Sequence, residues 1–178
     1  MSERVRTDDN LNCEVRLEEY YDIKRLIDEF GDAAYPAVRH YYNACGFESG
    51  YDLLLSLIRE GTLSCAAIRK DPTESLLALF TTFFARRGGN QPILTREGET
   101  VLLKTENAVF CPSPTAQQKS GVQHRDICTI HKRAFVEGLA QVIEAFVPGV
   151  QVHYTNASSR TLDPQADCIE AFHVVFPW

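Results

Sequence analysis

The sequence has no excess of basic residues: 18 Lys and Arg stand against 24 Asp and Glu, a formal net charge of −6. A general binder of the phosphate backbone needs a basic stripe. The short runs Arg86–Arg87 and His131–Lys132–Arg133 read as solvated helix ends, so no nucleic-acid partner is expected. No window approaches the roughly 18 apolar residues of a membrane span. The polar start MSERVRTDDNLN has no apolar core of a secretory signal. A cytoplasmic protein without a membrane partner is therefore expected. In that reducing compartment the six cysteines should remain free thiols rather than form a disulfide framework. Paired CxxC spacing, a Gly-rich phosphate loop, a GxSxG elbow and a paired-carboxylate signature are all missing, as are internal repeats and a linker.

What is present fits one globular domain in a chain of 178 residues, with residues 1–13 as a flexible arm and 14–178 as a single α+β domain. Leu17, Tyr20, Tyr21, Lys24, Ile27 and Phe30 recur at helical spacing up to Gly31. A longer helix is expected from near Pro36 to Gly61. Tyr42, Gly46 and Gly50 fall on one stripe of it. Each helix-interior glycine costs about 1 kcal/mol relative to alanine, so another helix or a ligand must come close there. TLSCAAIRK reads as a short helix or a connector. Asp71-Pro72-Thr73 opens a strongly apolar helix, with Pro72 just outside and Asp71 or Thr73 as cap. Its aromatic residues form core or wall a cavity. From Gln91 the period changes to two, giving a hairpin that turns at Glu97-Gly98-Glu99. Residues 112–124 are expected as a loop, 127–146 as a helix, and VQVHYTNAS and CIEAFHVVF as a second pair of strands. The result is a helical layer on an antiparallel sheet of two hairpins.

The chemistry-bearing residues concentrate in the last third of the chain. Cys128 and His131 lie three apart at a predicted helix start, which places both on one side. A thiolate and an imidazole at that spacing suit zinc or another transition metal, and a helix N-terminus also favours a reactive thiolate. Cys111, Cys168 and the loop residue His124 are the candidates to complete a site. The competing reading makes these cysteines small buried hydrophobes. His153 and His173 alternate on strands and read as satisfied or exposed.

The blocks ICTIHKRAFVEGLAQVIEAF, VQVHYTNASS and ADCIEAFHV resemble the C-terminal core of the 4-vinyl-reductase-type, predicted hydrocarbon-binding domains. Cys128, Gly138, Cys168 and Phe172 stand near that family's cysteine, helix glycine, second cysteine and phenylalanine. YYNACGFESGYDLLLSLI is similar to its helix with paired glycines, and KTENAVFC to the strand before its cysteine block. The order Cys111-Pro112, Cys128, Cys168 also resembles 2-amino-thiazoline-4-carboxylate hydrolase-like proteins. The resemblance implies a small-molecule pocket between helices and sheet, often a cysteine-bound metal beside it, and frequently a homodimer. This sequence departs from the pattern at Ser158-Ser159-Arg160, where the sensor domains carry a further cysteine.

These lines combine into a sensor-like protein that binds a small apolar or heterocyclic ligand. Tyr42, Cys45, Gly46, Gly50, Phe80, Phe83 and Phe84 are expected to wall the pocket. Cys111, Cys128, Cys168 and His124 are expected to hold zinc or another transition metal. One alternative is a small-ring C–N or C–S hydrolase, with Cys128 as nucleophile and His131 or His124 as base, or with a metal-bound water. Another is an assembly subunit whose apolar helices bury a partner.

Overall fold

The computed structural model describes residues 4–6, 14–87, 91–108 and 111–176. Arg4–Arg6 (β1) pairs antiparallel with Glu14–Arg16 (β2), Val5 opposite Val15. Part of the stretch expected as a flexible arm is thus held in a ladder; Cys13 lies outside the described residues. Helix α1 (Leu17–Phe30) ends at Gly31, whose φ of +57° begins a 3-10 turn. Helix α2 (Ala34–Arg59) follows at once. It starts ahead of Pro36, which lies in its first turn, where a missing N–H breaks no helical bond. TLSCAAIRK resolves into α3 (Cys65–Lys70), opened by Ser64, whose hydroxyl accepts from the Ala67 N–H at 3.1 Å. In α4 (Pro72–Arg87) the proline is the first helical residue rather than outside it. Asp71 caps the helix by accepting from the Glu74 N–H at 3.0 Å, while Thr73 donates to Glu99 Oε2 at 2.6 Å.

The expected hairpin is β3 (Ile93–Glu97) and β4 (Thr100–Thr105), turning at Gly98 with φ +59°. The loop expected over 112–124 is largely a helix, α5 (Pro112–Ser120), closed by Gly121 at φ +78°. Pro112 and Pro114 punctuate its first turn instead of excluding a helix, and the glycine sits just past its end. Helix α6 (His124–Asp126) runs without a break through a π-turn (Ile127–Lys132) into α7 (Arg133–Phe146). Strands β5 (Gln151–Ser158) and β6 (Cys168–Val175) complete a four-stranded antiparallel sheet of order β3-β4-β6-β5. The protein is therefore an α+β fold. Helices α2, α4 and α7 cover the sheet face that carries Val101, Leu103, Val152, Phe172 and Val174. At the centre of this core Phe80 packs edge-on against Phe172, ring centroids 4.8 Å apart.

The glycine stripe of α2 meets α7 rather than a ligand. A Cβ at Gly46 would collide with the Phe135 carbonyl, and one at Gly50 would stand 2.9 Å from the Leu139 carbonyl oxygen. From the other side, a Cβ at Gly138 would collide with the Asn43 carbonyl. Polar bonds fasten the same seam. The Arg39 guanidinium donates to the Thr129 carbonyl at 2.9 Å and pairs with Glu137, and the Asn43 amide donates to Gln141 Oε1 at 3.1 Å. A second, smaller core of Tyr20, Ile23, Val38, Ala116, Val122, Ile127 and Ile130 ties α1 and α5 to the π-turn.

Because backbone opposes backbone at this crossing, no side-chain rotation relieves an added methyl. Gly46→Ala and Gly138→Ala are each expected to lower unfolding free energy by at least about 2 kcal/mol. Urea-induced unfolding measures this; a loss below about 0.5 kcal/mol, the scale of ordinary surface changes, contradicts the packing described.

Candidate functional site

A pocket of about 590 Å³ opens where α1, α2, α4 and the π-turn converge. Tyr42, Cys45 and Ser49 line it from α2. Their i, i+3, i+7 spacing forms the stripe beside the glycines, so the close approach of α7 sets the width of the pocket. Helix α4 contributes Phe83, Phe84 and Arg87, the π-turn His131 and Lys132, and α7 Phe135 and Val136. Glu19 and Tyr41 complete the wall. The rings contact one another: Tyr42 meets His131 at 4.1 Å between centroids, Phe83 meets Phe84 at 5.3 Å, and Phe83 meets Phe135 at 5.8 Å. The Arg87 guanidinium carbon lies 5.4 Å from the Phe83 centroid and 6.0 Å from that of Phe135, within cation–π range.

Four of the seven residues expected to wall a pocket, Tyr42, Cys45, Phe83 and Phe84, meet here. Gly46 and Gly50 instead pack against α7, and Phe80 lies in the core against the sheet. The structure adds Glu19, Tyr41, Arg87, Lys132 and Phe135, none of which the sequence marked. Arg87 and Lys132 belong to the two basic runs that read as solvated helix ends. Spacing offered one clue: Arg87 falls four residues after Phe83, on the same side of α4.

Cys128 and His131 meet different partners. A π-turn uses i→i+5 bonds, and its wider winding rotates residues three apart away from a shared side. His131 Nε2 contacts Glu19 Oε2 at 3.0 Å. The Cys128 thiol contacts the Ser113 hydroxyl at 3.8 Å. Burial draws the His131 pKa below the ordinary imidazole value, although its contact with Glu19 opposes this. Burial, with the neighbouring Cys111, pushes the Cys128 thiol up to about 11. Among the described residues no hydrogen bond joins Cys128 to His131 or to His124. Lys132 reaches this thiol cluster from the pocket side, and desolvation lowers its pKa.

Nor do the expected metal ligands assemble. Cys111 Sγ lies 3.9 Å from His124 Nε2, which joins two of the four. Cys168 pairs with Thr105 in the β4–β6 register. Among the described residues no three His, Cys, Asp or Glu side chains converge on a point that could hold an ion. His124 is drawn below its ordinary pKa by burial and by Arg133, Arg160 and Lys132 nearby, so positive charge already surrounds that ring. On the sheet, His173 is satisfied by the Thr100 and Thr155 hydroxyls, each at 3.0 Å, and His153 is exposed.

A second concavity of about 670 Å³ runs between α1 and α2. It is more apolar, with Ile23, Leu26, Phe30, Ala37 and Val38 along it, and it shares Glu19, Tyr41 and Tyr42 with the first pocket. Among the described residues no helix is long and apolar enough to cross a membrane.

The architecture and pocket describe an α+β domain with a partly enclosed aromatic cavity. No protein-family profile matches the chain, and no curated protein matches it. Among solved structures it is similar to a trafficking protein particle complex subunit 3 from Naegleria fowleri covalently bound to palmitic acid. That likeness has a TM-score of 0.48 and 15% sequence identity, and covers 89% of this chain and 92% of that one.

The thiols should differ sharply in reactivity. Cys65 is exposed, whereas Cys128 stays protonated until the pH climbs toward about 11. At pH 8 iodoacetamide is expected to modify Cys128 at least about 100-fold more slowly than Cys65, because only the thiolate attacks. Peptide mapping by mass spectrometry reads both rates. Comparable rates at pH 8 contradict the environment described for Cys128.

Proposed function

We propose that this protein binds a small, largely apolar molecule in the pocket between α2, α4 and the π-turn, as a cytoplasmic sensor-like or carrier domain. The single observation that carries this reading is the aromatic cavity of about 590 Å³ with a few polar groups converging on it. Its size and mixture match small-molecule sites in general. The wall is supported from behind by the α2–α7 seam, so the cavity is built on rigid elements. A neutral apolar fluorophore, N-phenyl-1-naphthylamine, should bind saturably at one site per chain. Cys45→Trp, which places a large side chain in the cavity, should weaken that binding at least about tenfold, equivalent to 1.4 kcal/mol. Absence of saturable binding to the wild-type protein rejects the reading.

A second reading, an assembly subunit, draws on the groove between α1 and α2. Phe30 is 55% exposed, Leu26 37% and Tyr41 62% along that groove, and contiguous exposed apolar side chains commonly mark interfaces. The simplest occupant is a second copy of this chain in a two-fold dimer. On that reading light scattering returns twice the chain mass of 20.1 kDa, and Phe30→Asp returns the single-chain mass without loss of thermal stability. A monomeric wild-type protein at micromolar concentration contradicts the homodimer.

A further inference from the structure

The pocket holds an imbalance of charge that a purely apolar ligand leaves unresolved. Arg87 lines the cavity with its guanidinium over Phe83 and Phe135; among the described residues it has no carboxylate partner. Lys132 lines it too and likewise forms no ion pair among the described residues. Among the described residues Glu19 is the one acidic side chain in the wall, and His131 Nε2 engages it at 3.0 Å. The other groups facing the cavity are phenols, thiol, hydroxyl and hydrocarbon. Desolvation draws the Lys132 pKa down and Arg87 adds to this, while Cys111, Cys128 and Glu19 act against it. A negative group between Lys132 and Arg87 relieves both effects at once.

We infer that the ligand is a small carboxylate with an apolar body, its anion held by Lys132 and Arg87 and its body laid against Phe83, Phe84 and Phe135. This rests on the pocket reading above and adds the sign and place of the ligand's charge. The placement has a simple logic. Arg87 is exposed at the end of α4, so it meets the anion at the mouth, whereas Lys132 is partly buried and meets it deeper. A guanidinium over an aromatic ring can still present its N–H edge to a carboxylate. A cationic ligand is disfavoured by the permanent charge of Arg87.

Two probes of one shape isolate the charge: 1-naphthaleneacetate and its neutral amide, 1-naphthaleneacetamide, each titrated as a competitor of N-phenyl-1-naphthylamine. The acetate is expected to bind at least about tenfold tighter, the scale of a hydrogen bond to a charged group, and to weaken as ionic strength rises. Arg87→Gln and Lys132→Gln should each reduce the preference. The double variant should abolish it, and a thermal unfolding midpoint within about 4 °C of the wild type's reports that the variant keeps its fold. Equal affinity of acetate and amide in the wild-type protein, or a preference that survives the double variant, overturns the inference and leaves the pocket reading intact. Failure of the fluorophore and both naphthalene compounds to bind rejects the two together.

Discussion

The structure depends on the close crossing of α2 and α7. Three glycines, Gly46, Gly50 and Gly138, bring backbone to backbone where any side chain would separate the helices. The short distance has two consequences. It lets the Leu53, Leu54 and Leu57 row of α2 and the Leu139, Val142 and Ile143 row of α7 join one core above the sheet. It also brings the neighbouring Tyr42–Cys45–Ser49 stripe against His131, Lys132 and Phe135, which is how two helices remote in sequence share one cavity wall. Packing and site are the same constraint seen from two sides.

The position of α7 is fixed at its other end by polar contacts in a sheltered place. Arg133 donates to the Ser159 hydroxyl at 2.6 Å and approaches Glu170 at 3.8 Å, and the Tyr154 hydroxyl donates to Glu170 Oε1 at 3.0 Å. Burial raises the Glu170 carboxyl above its ordinary pKa, while Tyr154 and Arg133 act against that shift. Buried ion pairs add little net stability and are better understood as fixing one arrangement over others. Here the arrangement is the docking of the first turn of α7 on β5 and β6. The π-turn lies immediately before Arg133. The extra winding that separates Cys128 from His131 is thus confined between the Ile127 and Ile130 anchors in the small core and this polar clasp.

Within that frame the pocket chemistry follows from desolvation. Aromatic walls deprive His131 and Lys132 of water, which favours their neutral forms, and the permanent charge of Arg87 adds to this while Glu19 beside His131 acts against it. The thiols answer the same environment in the opposite sense, since burial holds Cys128 protonated. Of the residues that read as metal-binding or nucleophilic from their types, Cys111 meets His124 and Cys128 meets Ser113.

Local chemistry alone determined much of the fold. Helical spacing of apolar residues, the change to period two at Gln91, Gly98 in the turn and Asp71 as cap all act within a few residues, and they suffice for an α+β domain with antiparallel strands. The glycine stripe drew attention to Tyr42 and Cys45, and the aromatic density of α4 to Phe83 and Phe84; all four line the one pocket. Local reasoning misread residues 112–124, where prolines fit a first helical turn as well as a loop. It also could not foresee the π-turn, since one extra residue of winding leaves no mark in composition. Only the tertiary structure decided that the glycines face α7, that Cys111 and His124 meet without Cys128 or Cys168 completing a metal site, and that Arg87 and Lys132 turn into a cavity. Each of those depends on which distant element lies opposite, and sequence periodicity records the face a residue occupies but not what that face meets.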